Sequence, residues 1–304
     1  MISLLNKKLL VIAATCMILS ACSQKADQLP TDSNTKASSP AQSKSQQATE
    51  APSATEPQTD NKSVSTKGTN EPSAESKEQT KAVPEIKYHM NKVYNIVPNE
   101  EGTEKKVVLL TFDDGPKNKE WINGIIDVLD KHKAKAIFFV NGYRIKENPE
   151  LLKLIHDRGQ PIGNHSWDHI SLKSQPLPKV KQQIEDVQKI VKELTGETPV
   201  FFRPPFGEGG DVGRKVAKDN KLLYMTWSNG SLDWTLKTKD KSSNPDKVVK
   251  NVLEQLHPGA NILMHELPWT VEALDTLLTK LEDKGYSFVD PASISTEPVT
   301  DSNK

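Results

Sequence analysis

The stretch KVVLLTFDDGP, residues 106–116, places two adjacent carboxylates directly after an apolar run. The run VVLL is typical of a buried strand, and the Gly-Pro pair that follows the carboxylates is typical of a turn. A solvated turn would by itself explain Asp113 and Asp114, because Asp, Gly and Pro all favour turns. The rest of the chain decides between a turn and a functional site at this strand end.

Strand–helix alternation begins at about Lys87 and continues through the folded region. The predicted strands cover residues 106–111, 136–140, 161–163, 200–203, 222–227, 261–264 and 287–289. The predicted helices cover residues 121–131, 149–158, 178–194, 212–220, 245–256 and 271–284. This alternation predicts an α/β fold of parallel strands joined by right-handed crossovers. About seven such units favour a (β/α) barrel, with its chemistry at the carboxyl ends of the strands, although an open sheet has the same periodicity.

The first 21 residues predict a secretion signal. Lys7 and Lys8 precede an apolar core that is too short for a stable membrane span. Leu19-Ser20-Ala21-Cys22 resembles the bacterial lipobox, which implies cleavage before Cys22 and attachment of diacylglycerol to its sulfur. The alternative is an ordinary signal peptide that is cleaved nearby. The lipobox predicts a protein that is lipid-anchored to the outer face of the bacterial cytoplasmic membrane.

Composition divides the remaining chain into segments. Residues 23–84 are rich in Ser, Thr, Gln, Glu, Lys, Pro and Ala and contain no aromatic residue. Such a segment cannot bury enough apolar surface to offset its ordering entropy. The sequence therefore predicts a signal peptide at residues 1–21, a disordered spacer at 22–85, a folded domain at 86–292 and a flexible tail at 293–304.

Charge and cysteine content exclude several classes of protein. The formal net charge is +0 and there is no basic stripe, which argues against a nucleic-acid partner. Cys16 lies in the signal and Cys22 in the lipobox, so the folded domain can form neither a disulfide nor a cysteine zinc site. We expect a monomer.

Polar clusters follow five of the predicted strands. They are Asp113-Asp114, the pair His165 and His169, the motif Arg203-Pro204-Pro205-Phe206-Gly207, Asp233-Trp234, and His265. Each cluster alone has a structural explanation. Five clusters at the carboxyl ends of five different strands favour a single active site.

Within these clusters, His165 and His169 predict a metal. They are four residues apart, so one helical turn would place both imidazoles on the same side. Two histidines and one carboxylate form a hydrolytic zinc set that leaves a coordination position open. Arg203 can offer a bidentate fork to a carboxylate.

Two other hydrolase motifs are excluded. His265-Glu266 begins like the HExxH helix of zinc proteases, but Trp269 occupies the position of the second histidine. Pro268 would also disturb the helix that this motif requires. The chain has no G-x-S-x-G elbow, so a serine hydrolase of the α/β type is not expected.

Taken in order, the clusters resemble the five motifs of the NodB-type polysaccharide deacetylases, which form carbohydrate esterase family 4. The matching elements are TFDDGP, HSWDH, RPPFG, Asp233-Trp234, and the strand end with Leu263 and His265. The resemblance covers about residues 105–291. It implies a distorted (β/α) barrel of about seven strands, a divalent metal that is usually Zn²⁺ with Co²⁺ or Ni²⁺ as alternatives, and removal of N-acetyl or O-acetyl groups from chitin, peptidoglycan, xylan or related polymers.

The resemblance also implies the roles of the motif residues. Asp114, His165 and His169 would hold the metal. Asp113 would be the general base, which answers why two carboxylates stand side by side: one binds the cation and its neighbour takes the proton.

On the other side of the site, the resemblance makes His265 the general acid, oriented by Asp233, while Arg203 tethers Asp113. The backbone N–H of Phe206, beside Pro205, would stabilise the oxyanion, and Trp234 and Leu263 would line the acetyl pocket. Phe206 stands where many relatives have Tyr, which does not matter if the backbone supplies the donor.

The expected substrate is a cell-wall polysaccharide, most directly the N-acetylglucosamine residues of peptidoglycan, because an anchored enzyme would meet the wall first. Within the same class, the alternatives are a chitooligosaccharide deacetylase and an N-acetylmuramic acid deacetylase. A non-catalytic glycan-binding wall lipoprotein is a different class, but it would have no use for a base at Asp113 and an acid at His265. A metal-binding lipoprotein of a transport system would need neither Arg203 nor Asp233.

Overall fold

A parallel sheet forms the centre of the computed structural model, which describes residues 85–297. The predicted signal peptide, Cys22 and nearly all of the predicted spacer lie outside these residues. The strands are β1 (Tyr88–Met90), β2 (Ile96–Pro98), β3 (Val107–Gly115), β4 (Ala136–Val140), β5 (Ile162–Asn164), β6 (Phe201–Phe202), β7 (Leu223–Tyr224), β8 (Asn229–Gly230), β9 (Ala260–His265) and β10 (Ser287–Phe288).

The eight strands from β3 to β10 form one sheet, in which every pairing is parallel. The order is β7-β6-β5-β4-β3-β9-β8, and β10 pairs with the beginning of β3. The sheet curls into a distorted (β/α) barrel, as the sequence predicted. Strands β1 and β2 form a separate antiparallel hairpin.

Seven α-helices connect or flank these strands in the described part of the chain. They are α1 (Lys119–Lys131), α2 (Gly142–Glu147), α3 (Pro149–Asp157), α4 (Leu177–Thr195), α5 (Gly210–Asp219), α6 (Asn244–Glu254) and α7 (Pro268–Asp283). Four of them carry Pro in their first turn, where its missing N–H is not needed. Among the described residues, no helix combines the length and apolar content needed to cross a membrane.

The side chains of β3 alternate between two cores. Val107 and Leu109 belong to the interior cluster, with residues from β1, β2, β4 and β6. Val108, Leu110 and Phe112 belong to the outer cluster, with residues from α1, α6 and α7. Because successive strand residues face opposite sides, Thr111 and then Asp113 continue the interior row toward the carboxyl end of the strand. The interior of the barrel therefore changes from apolar to polar along its axis.

The structure differs from the predicted elements where segments are short. The hairpin β1–β2, strand β8 and helix α2 were not predicted, since two to six residues are too few to show a periodicity. The predicted domain end at residue 292 falls inside the 3₁₀ helix Pro291–Ser293. Ile294 is only 2% exposed, belongs to the interior cluster and bridges to Tyr88, so the folded domain extends past that boundary.

Candidate active site

A β-bulge at the end of β3 positions the two adjacent aspartates. Phe112 pairs with Phe138 of β4 and Gly115 pairs with Val140, so β3 has one residue more than β4 between these two pairs. Asp114, in the bulge, has a φ of 65°. In a regular strand two neighbouring side chains would face opposite sides of the sheet. The bulge instead brings both carboxylates to one imidazole: His165 Nε2 lies 3.7 Å from Asp113 Oδ2 and 3.4 Å from Asp114 Oδ1.

Three of the predicted residues converge as a metal site. His169 Nε2 lies 3.0 Å from Asp114 Oδ1, and the ligand atoms of Asp114, His165 and His169 all lie within 4.8 Å of one another. The predicted helical turn between the histidines is wrong. Both lie in the loop after β5, where Ser166 and His169 have positive φ values of 66° and 53° that no α-helix accommodates. The loop nevertheless places both imidazoles at the same carboxylate.

The donor chemistry of this set fits a divalent cation. His165 Nδ1 lies 2.7 Å from the carbonyl oxygen of Arg203. A carbonyl can only accept, so Nδ1 carries the hydrogen and Nε2 is the nitrogen left to bind a cation. Asp114 Oδ1 is buried and has no hydrogen-bond partner among the described residues. Burial alone would raise the pKa of Asp114, but the imidazoles of His165 and His169 hold it well below its usual range.

Arg203, directly after β6, holds Asp113 in place. Its side chain is fully buried, and Nη1 donates to Asp113 Oδ1 at 2.7 Å and to Thr111 Oγ1 at 2.8 Å. Nη2 donates to Asn261 Oδ1 and to the carbonyl of Thr226, so Asp113 receives one bond from the guanidinium and not a bidentate fork. The guanidinium donates to several polar groups at the carboxyl end of the barrel, and a single charge-assisted hydrogen bond holds Asp113.

Asp233 and His265 form a second buried pair. Asp233 Oδ1 accepts from His265 Nδ1 at 2.7 Å. Its Oδ2 accepts from the His265 backbone N–H at 2.7 Å and from Thr270 Oγ1 at 2.8 Å, so the carboxylate is held at both oxygens. Burial lowers the pKa of His265, but attraction to Asp233 outweighs burial and raises it above its usual value. The imidazole therefore holds its proton to higher pH than an ordinary histidine does.

Two exposed aromatic side chains flank these groups. Phe206, in the 3₁₀ turn after Arg203, is 62% exposed, and its ring lies 4.7 Å from the ring of His169 in an edge-on arrangement. Trp234 is 44% exposed and lies edge-on to His265, with 5.3 Å between the ring centroids. Pro205 and Leu263 are buried behind this surface. The metal set and the Asp233–His265 pair thus each have an aromatic wall.

Comparisons with known proteins identify the family of the chain. Residues 100–225 match the polysaccharide deacetylase family model. The peptidoglycan-N-acetylglucosamine deacetylase PgdA of Listeria monocytogenes is 41% identical over 185 residues, which are 60% of this chain and 38% of that protein. The peptidoglycan-N-acetylmuramic acid deacetylase PdaA of Bacillus subtilis is 35% identical over 191 residues, which are 61% of this chain and 70% of that protein. The chain belongs to the polysaccharide deacetylase family.

Polysaccharide deacetylase folds also carry inactive sites. A carbohydrate esterase family 4 pseudoenzyme from Bacillus anthracis superimposes with a TM-score of 0.57 at 34% identity, covering 61% of this chain and 63% of that one. The deacetylases of the family are metal-dependent, and the cluster of Asp114, His165 and His169 can hold such an ion. Membership of the family therefore establishes the fold, and whether a member is active depends on the side chains of its site.

The structure also places in this polysaccharide deacetylase site residues that sequence reasoning missed. Thr111 and Asn261 share the guanidinium of Arg203 with Asp113, and Thr270 binds Asp233. Thr111 was visible within TFDDGP as the interior neighbour of Asp113, two residues away on the same face. Thr270 gave no signal, because it lies 37 residues from Asp233 in the sequence.

Proposed function

We propose that this protein is a metal-dependent hydrolase that removes N-acetyl groups from N-acetylglucosamine residues of peptidoglycan. One observation carries the proposal: a three-residue cation site lies beside a tethered carboxylate, Asp113, whose register partner is a carboxylate-bound imidazole, His265. Amide hydrolysis requires a base for the attacking water and an acid for the departing nitrogen, and these two groups supply both. The peptidoglycan substrates named for the Listeria and Bacillus relatives support the substrate class.

In this reaction Asp113 takes a proton from the water that attacks the acetyl carbonyl. The bond from Arg203 fixes one of its oxygens, Oδ1, and leaves Oδ2 on the side of His165. Asp114, His165 and His169 would hold a divalent ion, with Zn²⁺ as the first candidate, which would supply Lewis acidity toward the water and the carbonyl.

His265 completes the reaction by protonating the leaving nitrogen. Its Nδ1–H is committed to Asp233, so the proton given to the amine comes from Nε2 of the imidazolium. The carbon–nitrogen bond breaks as that proton arrives, giving acetate and a free amino sugar. Asp233 remains charged and stabilises the imidazolium before the transfer.

The surrounding walls bind the substrate. We assign the backbone N–H of Phe206 to the oxyanion and Trp234 with Leu263 to the acetyl methyl group. The exposed faces of Phe206 and Trp234 offer apolar surface to a sugar ring that lies across the site. The lipobox supports a position at the outer face of the cytoplasmic membrane, attached through Cys22, and the folded domain acts as a monomer.

Retention of the full proton-transfer machinery argues against a non-catalytic glycan binder. Burying Arg203, Asp113 and Asp233 costs desolvation free energy, which a binding surface would not need. An N-acetylmuramic acid deacetylase is a second candidate, favoured by the similarity to the Bacillus subtilis enzyme. Chitooligosaccharide deacetylation uses the same groups.

Mass spectrometry of the products tests the proposal. The purified full-length protein, loaded with Zn²⁺, would be incubated with chitooligosaccharides and with muramidase-released peptidoglycan fragments. We expect loss of acetyl from the glucosamine of the peptidoglycan fragments, located by fragmentation, and no loss with Asp113→Asn. Loss of acetyl from muramic acid alone would show that the protein is an N-acetylmuramic acid deacetylase instead. Loss from chitooligosaccharides alone would replace the polymer, and no loss from any substrate would refute the function.

A further inference from the structure

Glu266 is a completely buried carboxylate for which the proposed mechanism has no use. It directly follows His265 at the end of β9 and is 0% exposed. Its Oε2 accepts the backbone N–H of Lys117 at 2.8 Å, 149 residues away in sequence. Lys117 follows the Gly115-Pro116 turn that ends the strand bearing both aspartates. The hydrogen bond therefore joins the strand of the candidate acid to the segment directly after β3, the strand of the candidate base and the aspartate metal ligand.

The carboxylate also packs against the backbone next to Asp114. A Cβ added at Gly115 would lie 2.1 Å from Glu266 Oε1 and 3.0 Å from its Cδ. No contact that short is tolerated, so the absence of a side chain at Gly115 is what lets Glu266 reach the turn. Gly115 does not have a positive φ, and its requirement here is steric.

Retaining a carboxylate at this place is unfavourable for folding. Burial raises the pKa of Glu266 to about 7, against the lowering by the Lys117 N–H, and Asp114 adds to the rise. Oε1 has no hydrogen-bond partner among the described residues. Lys117 itself carries its ammonium 3.7 Å from Asp114 Oδ2, so the same short segment touches both carboxylates. A group kept at such cost at an active site points to a role in activity.

We infer that Glu266 is a positioning residue that holds the Asp113–Lys117 segment in register with His265. This inference rests on the proposed function for its effect on turnover. His265 and Glu266 are consecutive, so the end of β9 binds Asp233 through one residue and Lys117 through the next. Loss of the Glu266 acceptor would let the bulge that carries Asp114 shift. The distances between Asp113, the metal site and His265 would then change.

The test compares Glu266→Ala with Glu266→Gln, whose amide oxygen can still accept from Lys117. For Glu266→Ala we expect Zn²⁺ affinity, measured by competition with a chelator, and kcat to fall by about 10- to 100-fold with little change in KM, as for outer-shell residues of metal sites. Glu266→Gln should stay within about threefold of wild type. Glu272→Ala, at an exposed glutamate of α7, is the matched control and should change neither quantity.

A double-mutant cycle covers the case in which Glu266→Ala folds poorly. Gly115→Ala should lower Zn²⁺ affinity in the wild-type background, through its clash with the carboxylate, and have much less effect when residue 266 is alanine. Equal effects of Gly115→Ala in both backgrounds, or unchanged Zn²⁺ affinity in Glu266→Ala, would overturn the inference. The inference would also be overturned if Glu266→Gln lowered Zn²⁺ affinity and kcat as much as Glu266→Ala does. The affinity measurements remain informative if wild type deacetylates nothing, so failure of the proposed function is recognised separately.

Discussion

Asp113 and His265 are direct register partners on the neighbouring parallel strands β3 and β9. Side chains of paired residues stand on the same face of a sheet, so the candidate base and the candidate acid both face the interior of the barrel at its carboxyl end. Each forms an ion pair with a buried residue of opposite charge, Asp113 with Arg203 and His265 with Asp233. The sheet itself thus sets the spacing between the two proton-transfer groups, and the loop after β5 adds the two histidine ligands beside them.

Removal of one imidazole should empty the metal site. His165→Ala or His169→Ala leaves two protein ligands, so we expect bound Zn²⁺ after dialysis to fall well below one per chain, with activity falling in parallel. Elemental analysis of the dialysed protein measures the metal. His89→Ala, at the β1–β2 hairpin, is the control and should keep its metal. Full occupancy in either site variant would remove that histidine from the ligand set.

The two aspartates should separate into different roles. Asp113→Asn cannot accept the proton of water, so we expect kcat to fall by about two to four orders of magnitude while Zn²⁺ stays bound. Asp114→Asn removes the charged ligand and should weaken Zn²⁺ binding. Titration of both variants with Zn²⁺ against a chelator distinguishes them. Identical titration curves would contradict the division between base and ligand.

The pH dependence of kcat should depend on Asp233. The raised pKa of His265 keeps its imidazolium populated to higher pH than an ordinary histidine, so activity should decline only above the usual histidine range. Asp233→Asn removes the attraction that raises this pKa, and the declining limb should move to lower pH. Profiles of kcat for wild type, Asp233→Asn and the exposed control Asp246→Asn measure the shift. A limb that does not move in Asp233→Asn would mean that another group is the acid.

Stability should depend on the ionisation of Glu266. Its pKa in the folded, metal-free protein is about 7, above the unfolded value of 4.5. The folded state therefore binds the proton more tightly, and the stability gained from the neutral acid is present below pH 4.5 and lost as pH rises toward 7. We expect the free energy of unfolding of Glu266→Gln to rise relative to that of wild type across this window. The difference should reach on the order of 3 kcal/mol by pH 7 and stay constant above it. Chelator-treated samples unfolded in urea at several pH values check this, and a difference independent of pH would rule it out.

Cys22 should determine where the protein is found. If its sulfur carries the lipid, Cys22→Ala should move the protein from the membrane fraction to the medium or wall without reducing activity on soluble oligosaccharides. Immunoblots of cell fractions measure the distribution. If the predicted spacer of about 60 residues is disordered, it would span roughly 40–45 Å as a flexible coil, and scrambling residues 25–81 should leave anchoring and activity intact. Retention of Cys22→Ala in the membrane would indicate an uncleaved N-terminal anchor.

The alternation of strands and helices and the position of polar clusters at strand ends could be predicted from the amino-acid sequence. This is possible because periodicity and turn chemistry are local properties, written within ten or twenty consecutive residues. The strand at residues 136–140 has the same bounds in sequence and structure. The motif resemblance assigned Asp114, His165 and His169 to a cation, and the structure brings these three side chains together.

How these residues face one another depends on the packing of distant elements. The bulge that turns Asp113 and Asp114 to one imidazole is defined by pairing with β4, and the partners of Arg203 and Asp233 come from distant strands and helices. Glu266 reaches Lys117 across 149 residues, through space that Gly115 leaves open. Such contacts depend on which elements pack together, and a local pattern contains no information about a partner that lies a hundred residues away.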